Sequence, residues 1–434
     1  MSESSSGSSR TVYLVDGART PFLKARGKPG PFSPVDLAVQ AGRSLLQRHT
    51  LPDNAFDQVI LGCVNVVASE MNPARIAALR LGLSETTPAF TMQINCGSGM
   101  QSVDTAFRYI REGRQDLILA GGTEALSHAP LMLTPQATHW LAELGLARSL
   151  SAKLKHLSSF KLGYMKPVIS LEQGLTDPVV ELNMGQTAEV VASLFNISRE
   201  SADEYAVSSH LRLHKAQQEG WLDKEVVPLY APDGRVFSAD DGVRADSSTE
   251  KLARLRPVFE RPFGKVTAGN SSQITDGASW LILASEEALE KYQLTPLAKI
   301  TDSEWSGLEP EIMGLGPAVS AGRLALRNKM TLDDIDLLEL NEAFAAQVLG
   351  CLAAWNDSDF CRAVFEREEV LGQFDLDKLN IDGGAISLGH PVGTSGNRIV
   401  LHLVNALKRK KLKRGIATQC IGGGQAGAML IEVI

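Results

Sequence analysis

Cysteine is scarce in this chain, and the cysteines present follow no structural pattern. Among 434 residues there are five, at positions 63, 96, 351, 361 and 420, with no CxxC pair. That spacing excludes a disulfide framework and a zinc site, and a reducing, intracellular, cytoplasmic setting is expected. Long apolar runs are missing as well, so no membrane-spanning segment is expected. Residues 1–10, rich in serine, lack both the apolar core of a signal peptide and the Arg-rich pattern of a transit peptide; they read as a disordered tail. Positive charge is not in excess: the net charge of -7 argues against nucleic acid as a partner. The glycine-rich stretch Gly389–Gly396 has no P-loop lysine, and neither GxSxG nor HExxH occurs. Gly422–Gly427 does fit GxGxxG, but only Ala428–Ile434 follow, too few for the helix, second strand and ribose-binding acid of a dinucleotide site.

What is present is ordinary globular composition, 44% hydrophobic and 21% charged, in a chain long enough for two to three domains. Strands and helices alternate. Thr11–Asp16 and the apolar Asp57–Gly62 and Asp116–Gly122 read as strands, with Gly17–Phe22 turning away from the first; Val35–Gln47, with Pro34 at its start, and Pro73–Leu81 read as helices. This is the pattern of a layered α/β domain. The later chain repeats it. Asp336–Asn341 resembles Asp57–Gly62 in type, and the turn, helix, basic turn and strand after Gly389 parallel those after Cys96, so an internal duplication is expected. The expected organisation is a first half, 11–130 and 176–285, interrupted by an inserted loop or helical region, 131–175. A second half, 286–434, carries a charged surface excursion at 356–377. The insertion joins Trp140, Leu141, Leu144, Leu146 and Leu150 to Lys153, Lys155, His156, Lys161 and Lys166, which suits a solvated helical lid or a surface for a partner, anionic lipid or phosphate-bearing substrate. Met184–Phe195 and Arg199–Glu219 read as helices and Asp240–Asp246 as a charged loop.

Four polar positions sit on strand-to-turn junctions of this duplicated core. Cys96, in Gln93–Met100, lies between an apolar strand and a helix, where free N–H groups and the helix dipole shift a thiol toward thiolate. On this stretch alone it is either a nucleophile or a buried filler. Asn341 ends a buried strand, His390 lies in Gly389-His390-Pro391, and Cys420 precedes Gly422-Gly423-Gly424. Each alone has a bland explanation: a strand-end cap, a structural histidine, an apolar filler. Together they supply a nucleophile, a base, an oxyanion donor and a second proton carrier.

At these residues the chain resembles the thiolase family. Asn95-Cys96-Gly-Ser-Gly-Met resembles its nucleophile segment, Asn341-Glu-Ala-Phe its asparagine motif, Asn380 through Gly396 its histidine signature, and Cys420-Ile-Gly-Gly-Gly its second-cysteine motif; Gln419 departs from the small or apolar residue usual there. The similarity runs from about Val12 to the C-terminus. It implies duplicated βαβαβαββ halves in a five-layered αβαβα core, at least a dimer (a homodimer or homotetramer), and coenzyme A as substrate with no covalently bound cofactor and no metal. It also implies roles: His390 takes the proton of Cys96, whose thiolate attacks the keto carbon of a 3-ketoacyl-CoA. Cys420 protonates the departing acetyl-CoA enolate and deprotonates the second CoA, which attacks the acyl-thioester. The enolate oxygen is held by His390 and an Asn341-bound water, the thioester oxyanion by the N–H groups of Cys96 and Gly422, and such a donor is typically worth about two to three orders of magnitude in rate.

The loop Lys265–Ser272 resembles the family's adenosine and pantetheine loop, with Ala268 and Ser272 at contact positions; Arg244, Leu255, Phe259 and Met313 also match CoA-contacting positions. Asn183 stands where short-chain acetoacetyl thiolases usually have histidine, which argues against strict acetoacetyl-CoA specificity. The regions 131–175 and 356–377 resemble β subunits of fatty-acid oxidation complexes, which work with a hydratase/dehydrogenase α subunit; those often carry histidine where Asn341 stands. The expected activity is thiolysis over a broad range of 3-ketoacyl-CoA chains. The alternatives are an acetoacetyl-CoA thiolase working in the condensation direction, a ketoacyl synthase, which pairs its cysteine with two histidines, and a non-catalytic acyl-CoA or lipid carrier that keeps the fold.

Overall fold

The computed structural model describes residues 10–434; apart from Arg10, the expected disordered tail lies outside the described residues. The first strand, β1 (Val12–Arg19), does not turn away at Gly17 but continues to Arg19. Helix α1 (Pro34–Leu46) starts at Ser33, whose hydroxyl and the Asp36 carboxylate form a reciprocal capping box ahead of Pro34. Strand β2 (Gln58–Gly62), helix α2 (Pro73–Arg80), strand β3 (Ala89–Met92), helix α3 (Ser98–Arg111) and the wholly buried strand β4 (Leu117–Ala125) follow. After the insertion, with helices α4 (Pro135–Leu146) and α5 (Leu150–Leu157), come α6 (Met184–Leu194), α7 (Arg199–Gln218) and strand β5 (Thr275–Ala284). The second half contains β6 (Ala298–Gly307), α8 (Gly316–Arg327), β7 (Leu337–Leu340), α9 (Ala345–Trp355), α10 (Ser358–Phe365), α11 (Val392–Lys410), β8 (Arg414–Ile421) and β9 (Gln425–Val433).

These strands hydrogen-bond in the order β7-β8-β9-β6-β1-β5-β4-β2-β3. The sequence is a mirror about the antiparallel β1–β6 contact, where Val12 faces Ile300 and Leu14 faces Ala298. On one side β5, β4, β2 and β3 follow β1; on the other β9, β8 and β7 follow β6, and the counterpart of β3 is reduced to one bridge, Leu338 to Leu379. The duplicated pattern read from the sequence is therefore a topological repeat. The sheet folds over a central pair of helices: α3 and α11 pack in one cluster with side chains of both sheet halves, among them Met100, Val103, Ile118, Leu281, Leu403 and Met429. The outer faces are closed by α1 and α2 on one side and by α8 and α9 on the other. Five layers, αβαβα, result. Gly99 lets α3 and α11 touch, because a Cβ there would lie 2.9 Å from the Gly393 carbonyl oxygen.

One surface expectation is corrected, and the charged loop 240–246 gains a detail: its first residue, Asp240, is not exposed. It is buried with Arg19, whose guanidinium donates to it at 2.7 Å and to Glu225 at 2.9 Å, and Glu225 in turn meets His402 at 3.0 Å. Buried charge of this kind persists only when paired. The 356–377 excursion is also not merely superficial. Cys361 and Phe374 are buried, and Phe360 packs edge-on against Phe195 and Phe365. Its charged residues ride on a segment fastened to the core. The insertion has a small aromatic centre of its own, with Trp140 stacked on His156 at 5.2 Å and in contact with Phe160 at 5.1 Å. Outside that centre Leu146, Leu150, Leu154 and Leu162 are exposed.

Candidate active site

Strand β3 delivers Cys96 and α3 carries the chain away. Between them Asn95 adopts a left-handed conformation, and the Ser98 hydroxyl accepts from the Ile94 N–H at 2.9 Å and donates to the Asn95 carbonyl at 2.7 Å. The Asn95 side chain donates to the Gly422 carbonyl at 2.9 Å, tying this turn to the glycine loop after β8. The duplication supplies the facing turn. His390 precedes α11 as Cys96 precedes α3, and its backbone N–H donates to the Gln273 carbonyl at 2.9 Å.

One cavity of about 190 Å³ brings Cys96, His390 and Cys420 together with Phe259, Ser272 and Met313. A second, of about 640 Å³, meets it at Cys96 and is lined by Gly422, Gly423 and the segment Ser170–Val179. Cys96, Leu126, Leu175, Met184 and Val392 line both cavities. Asn341 lines neither cavity; its side chain is fully buried, and neither amide atom has a partner among the described residues. Three expected CoA contacts line neither cavity. Ala268 is exposed on its loop, Leu255 packs near Gly269, and the backbone N–H of Arg244 donates to His210 at 3.2 Å. That loop is held firmly. The Glu189 carboxylate accepts the Lys265 and Val266 N–H groups, Asn270 donates to Asp203, and the Ser272 N–H donates to the Ala343 carbonyl at 2.9 Å.

The resting thiol is not shifted toward thiolate, against the expectation from its helix terminus. Burial pushes Cys96 up to about 11; the N–H groups of Gly422 and Cys96 pull the other way but do not prevail. Burial raises Cys420 well above the usual thiol value, and the neighbouring Cys96 adds to the rise. Burial likewise lowers His390 to about 4, helped by the Arg398 charge, so the imidazole rests neutral. A neutral thiol beside a neutral imidazole is the resting state; a proton leaves Cys96 only as its sulfur bonds to an electrophile.

Sequence reading missed three supporting residues. The Ser395 hydroxyl lies 2.6 Å from His390 Nδ1 and 3.2 Å from the Pro391 carbonyl, while His390 Nε2 has no protein partner. Glu124, buried and pushed up to about 7 by that burial, accepts the N–H groups of Asn65, Val64 and Gly393, joining the Cys96 half to the His390 turn. Glu342, next to Asn341, accepts from Tyr205, Ser209, Asn380 and the Ile386 N–H, which ties the asparagine strand to the segment leading to His390. Motif position was the available signal: Ser395 and Asn380 lie in the histidine signature, and Glu342 follows Asn341 directly.

Residues 12–287 match the model of the thiolase N-terminal domain and residues 294–433 that of the thiolase C-terminal domain. The chain is 36% identical to the mitochondrial trifunctional enzyme subunit beta of Bos taurus over 424 residues, covering 98% of this chain and 88% of that protein. It is 37% identical to the beta-ketoadipyl-CoA thiolase of Pseudomonas aeruginosa over 431 residues, covering 98% and 99%. The crystal structure of human mitochondrial 3-ketoacyl-CoA thiolase in complex with CoA superposes with a TM-score of 0.83 at 35% identity, covering 98% of each chain. With a cysteine turn, a histidine turn and a cysteine-bearing strand meeting at one cavity in a mirrored five-layer core, and the two domain models matched over residues 12–287 and 294–433, this chain belongs to the thiolase family, whose members are acyltransferases.

Proposed function

We propose that the protein cleaves 3-ketoacyl-CoA substrates over a broad range of chain lengths, using a second CoA, to give acetyl-CoA and a shortened acyl-CoA. One observation carries this reading: Cys96 stands where the narrow cavity holding His390, Cys420 and the CoA-loop residue Ser272 opens into a cavity of about 640 Å³. That larger volume is on the scale of sites that enclose whole small molecules, far more than a two-carbon acetyl group needs. The CoA arm lies along Phe259, Ser272 and Met313, and the acyl chain runs toward Leu171, Leu175 and Val179.

The steps follow from the groups present. His390 Nε2 accepts the Cys96 proton as the sulfur bonds to the C3 carbonyl carbon. The C2–C3 bond then breaks, its electron pair going to the acetyl-CoA enolate, which takes a proton from Cys420. Asn341, whose amide is free of protein partners, and His390 stabilise the enolate oxygen. Cys420 then removes the thiol proton of the incoming CoA, whose sulfur attacks the acyl-Cys96 carbonyl. The N–H groups of Cys96 and Gly422, which already bear on the sulfur, hold the resulting oxyanion. Its collapse breaks the Cys96 S–C bond and releases the acyl-CoA, and the leaving Cys96 sulfur takes back the proton held by His390. Chemistry that depends on two free thiols suits a reducing compartment, and no helix among the described residues is long and apolar enough to cross a membrane.

The trifunctional-enzyme β relatives lead us to propose a hydratase/dehydrogenase α subunit as partner, with the exposed leucines of the insertion as its docking face and a dimer or tetramer of this chain as the unit it joins. Thiolysis rates with acetoacetyl-CoA and with medium- and long-chain 3-ketoacyl-CoA test the central reading. Sustained kcat/KM on the longer chains is expected, and activity on acetoacetyl-CoA alone overturns it.

A further inference from the structure

The acyl cavity has a one-sided charge pattern. Among the described residues that line it there is no lysine, arginine or histidine. Its wall is built from Val64, Leu126, Leu171, Leu175, Val179 and Met184, with amide and hydroxyl side chains between them. Its one ionisable acid is Asp177, almost fully buried, whose carboxylate already accepts the Val179 N–H at 2.8 Å and the Val180 N–H at 3.2 Å. The backbone donors on the opposite wall are also taken: the N–H groups of Val64 and Asn65 point back to the buried Glu124 carboxylate, at 3.1 and 2.8 Å. An anion in this space would therefore meet one buried carboxylate, that of Asp177, no lysine, arginine or histidine, and at Val64 and Asn65 two backbone N–H donors already engaged. A carboxylate held near a like charge, with no cation to pair it, is disfavoured relative to an uncharged chain end.

We propose that this cavity accepts uncharged aliphatic 3-ketoacyl chains and rejects short chains that end in a carboxylate. The inference rests on the thiolase reading above and separates this chain from the similar protein of Pseudomonas aeruginosa, which is named a beta-ketoadipyl-CoA thiolase. In the six-carbon case the two acyl groups left on Cys96 are butanoyl and succinyl, equal in chain length and differing at the terminus. The succinyl carboxylate is three bonds from the thioester carbon, so it stays inside the cavity.

The test compares kcat/KM for 3-ketohexanoyl-CoA and 3-ketoadipyl-CoA at saturating CoA, in the native protein and in Gln173→Arg. Gln173 lines the cavity from an exposed position, so an arginine there does not disturb the core. The native protein is expected to favour 3-ketohexanoyl-CoA by at least about 100-fold, equivalent to about 2.7 kcal/mol at 1.36 kcal/mol per decade. Gln173→Arg is expected to narrow that ratio by about tenfold or more, by raising kcat/KM for 3-ketoadipyl-CoA. Native rates on the two substrates within about fivefold of each other, or a preference for the dicarboxylic one, overturn the proposal while leaving the thiolase reading intact. Failure to cleave either substrate, or any longer 3-ketoacyl-CoA, overturns the thiolase reading itself.

Discussion

Ser395→Ala isolates how the site keeps its base ready. The Pro391 carbonyl can only accept a hydrogen bond, so the single proton of the Ser395 hydroxyl serves it at 3.2 Å, and the Ser395 oxygen then accepts from His390 Nδ1–H at 2.6 Å. In that arrangement Nδ1 carries the proton, and Nε2, which has no protein partner, is left as a lone pair for the Cys96 proton. Without the hydroxyl, the buried Nδ1–H has no acceptor, at a cost of about 1–3 kcal/mol. The other tautomer, with Nε2–H, then gains population and cannot take the thiol proton. At about 1.4 kcal/mol per decade, the competent fraction falls roughly 5- to 140-fold. The assay is the pre-steady-state release of acetyl-CoA on mixing enzyme with 3-ketoacyl-CoA, before any second CoA is added. Acylation is expected to slow roughly 10- to 100-fold, with the KM for CoA within about twofold. Thermal stability should fall by no more than that cost of about 1–3 kcal/mol, partly offset by the better helix propensity of alanine. Acylation at the native rate, or a raised KM for CoA with unchanged kcat, would refute the reasoning.

Other perturbations probe the remaining parts. With Cys96 held at about 11, its alkylation by iodoacetamide in the absence of substrate should rise about tenfold per pH unit from 7 to 10, and a plateau near neutral pH would contradict the neutral resting thiol. A methyl at Gly122 would stand 2.3 Å from the Gly393 carbonyl oxygen and 2.6 Å from Thr394 Cα, so Gly122→Ala should displace the start of α11. It should lower stability by about 1–3 kcal/mol and cut kcat, whereas Gly163→Ala, whose methyl meets nothing within 4 Å, should change neither. His402 is raised to about 10 because the nearby Glu225, Glu339 and Asp382 outweigh its burial. Its folded value lies above its unfolded one, so its stabilisation is complete below about pH 6.5 and is lost as pH rises through 10. Urea midpoints across pH 6 to 10 should therefore fall in the native protein and stay flatter, from a lower start, in His402→Gln. Equal slopes would remove His402 from the account.

The elements legible in the sequence share a physical signature. Cys96, His390 and Cys420 each lie on or beside a glycine-rich turn that ends or follows a buried apolar run, and such runs reveal strands without knowledge of their partners. The duplication was visible because β2 and β7 repeat the same short apolar pattern at matching places in the two halves. What stayed hidden depended on contacts far away in sequence. Asp240 looks like a loop charge until Arg19 is seen to enclose it from 221 residues away. The direction of the Cys96 shift was misjudged because the turn displays its N–H donors locally, whereas the burial that outweighs them is set by tertiary packing that the local sequence does not show. The excursion at 356–377 looked superficial because its charges dominate the composition, while the few side chains that anchor it, Cys361 and Phe374, do so through tertiary packing.

The most direct test is mass spectrometry of the intact protein mixed with 3-ketooctanoyl-CoA and no free CoA. A hexanoyl adduct is expected, mapped to the peptide containing Cys96, absent in Cys96→Ala, and discharged as hexanoyl-CoA when free CoA is added. An adduct on Cys420, an adduct that free CoA does not discharge, or cleavage by Cys96→Ala at the native rate would contradict an acyl-enzyme on Cys96 and the account built on it.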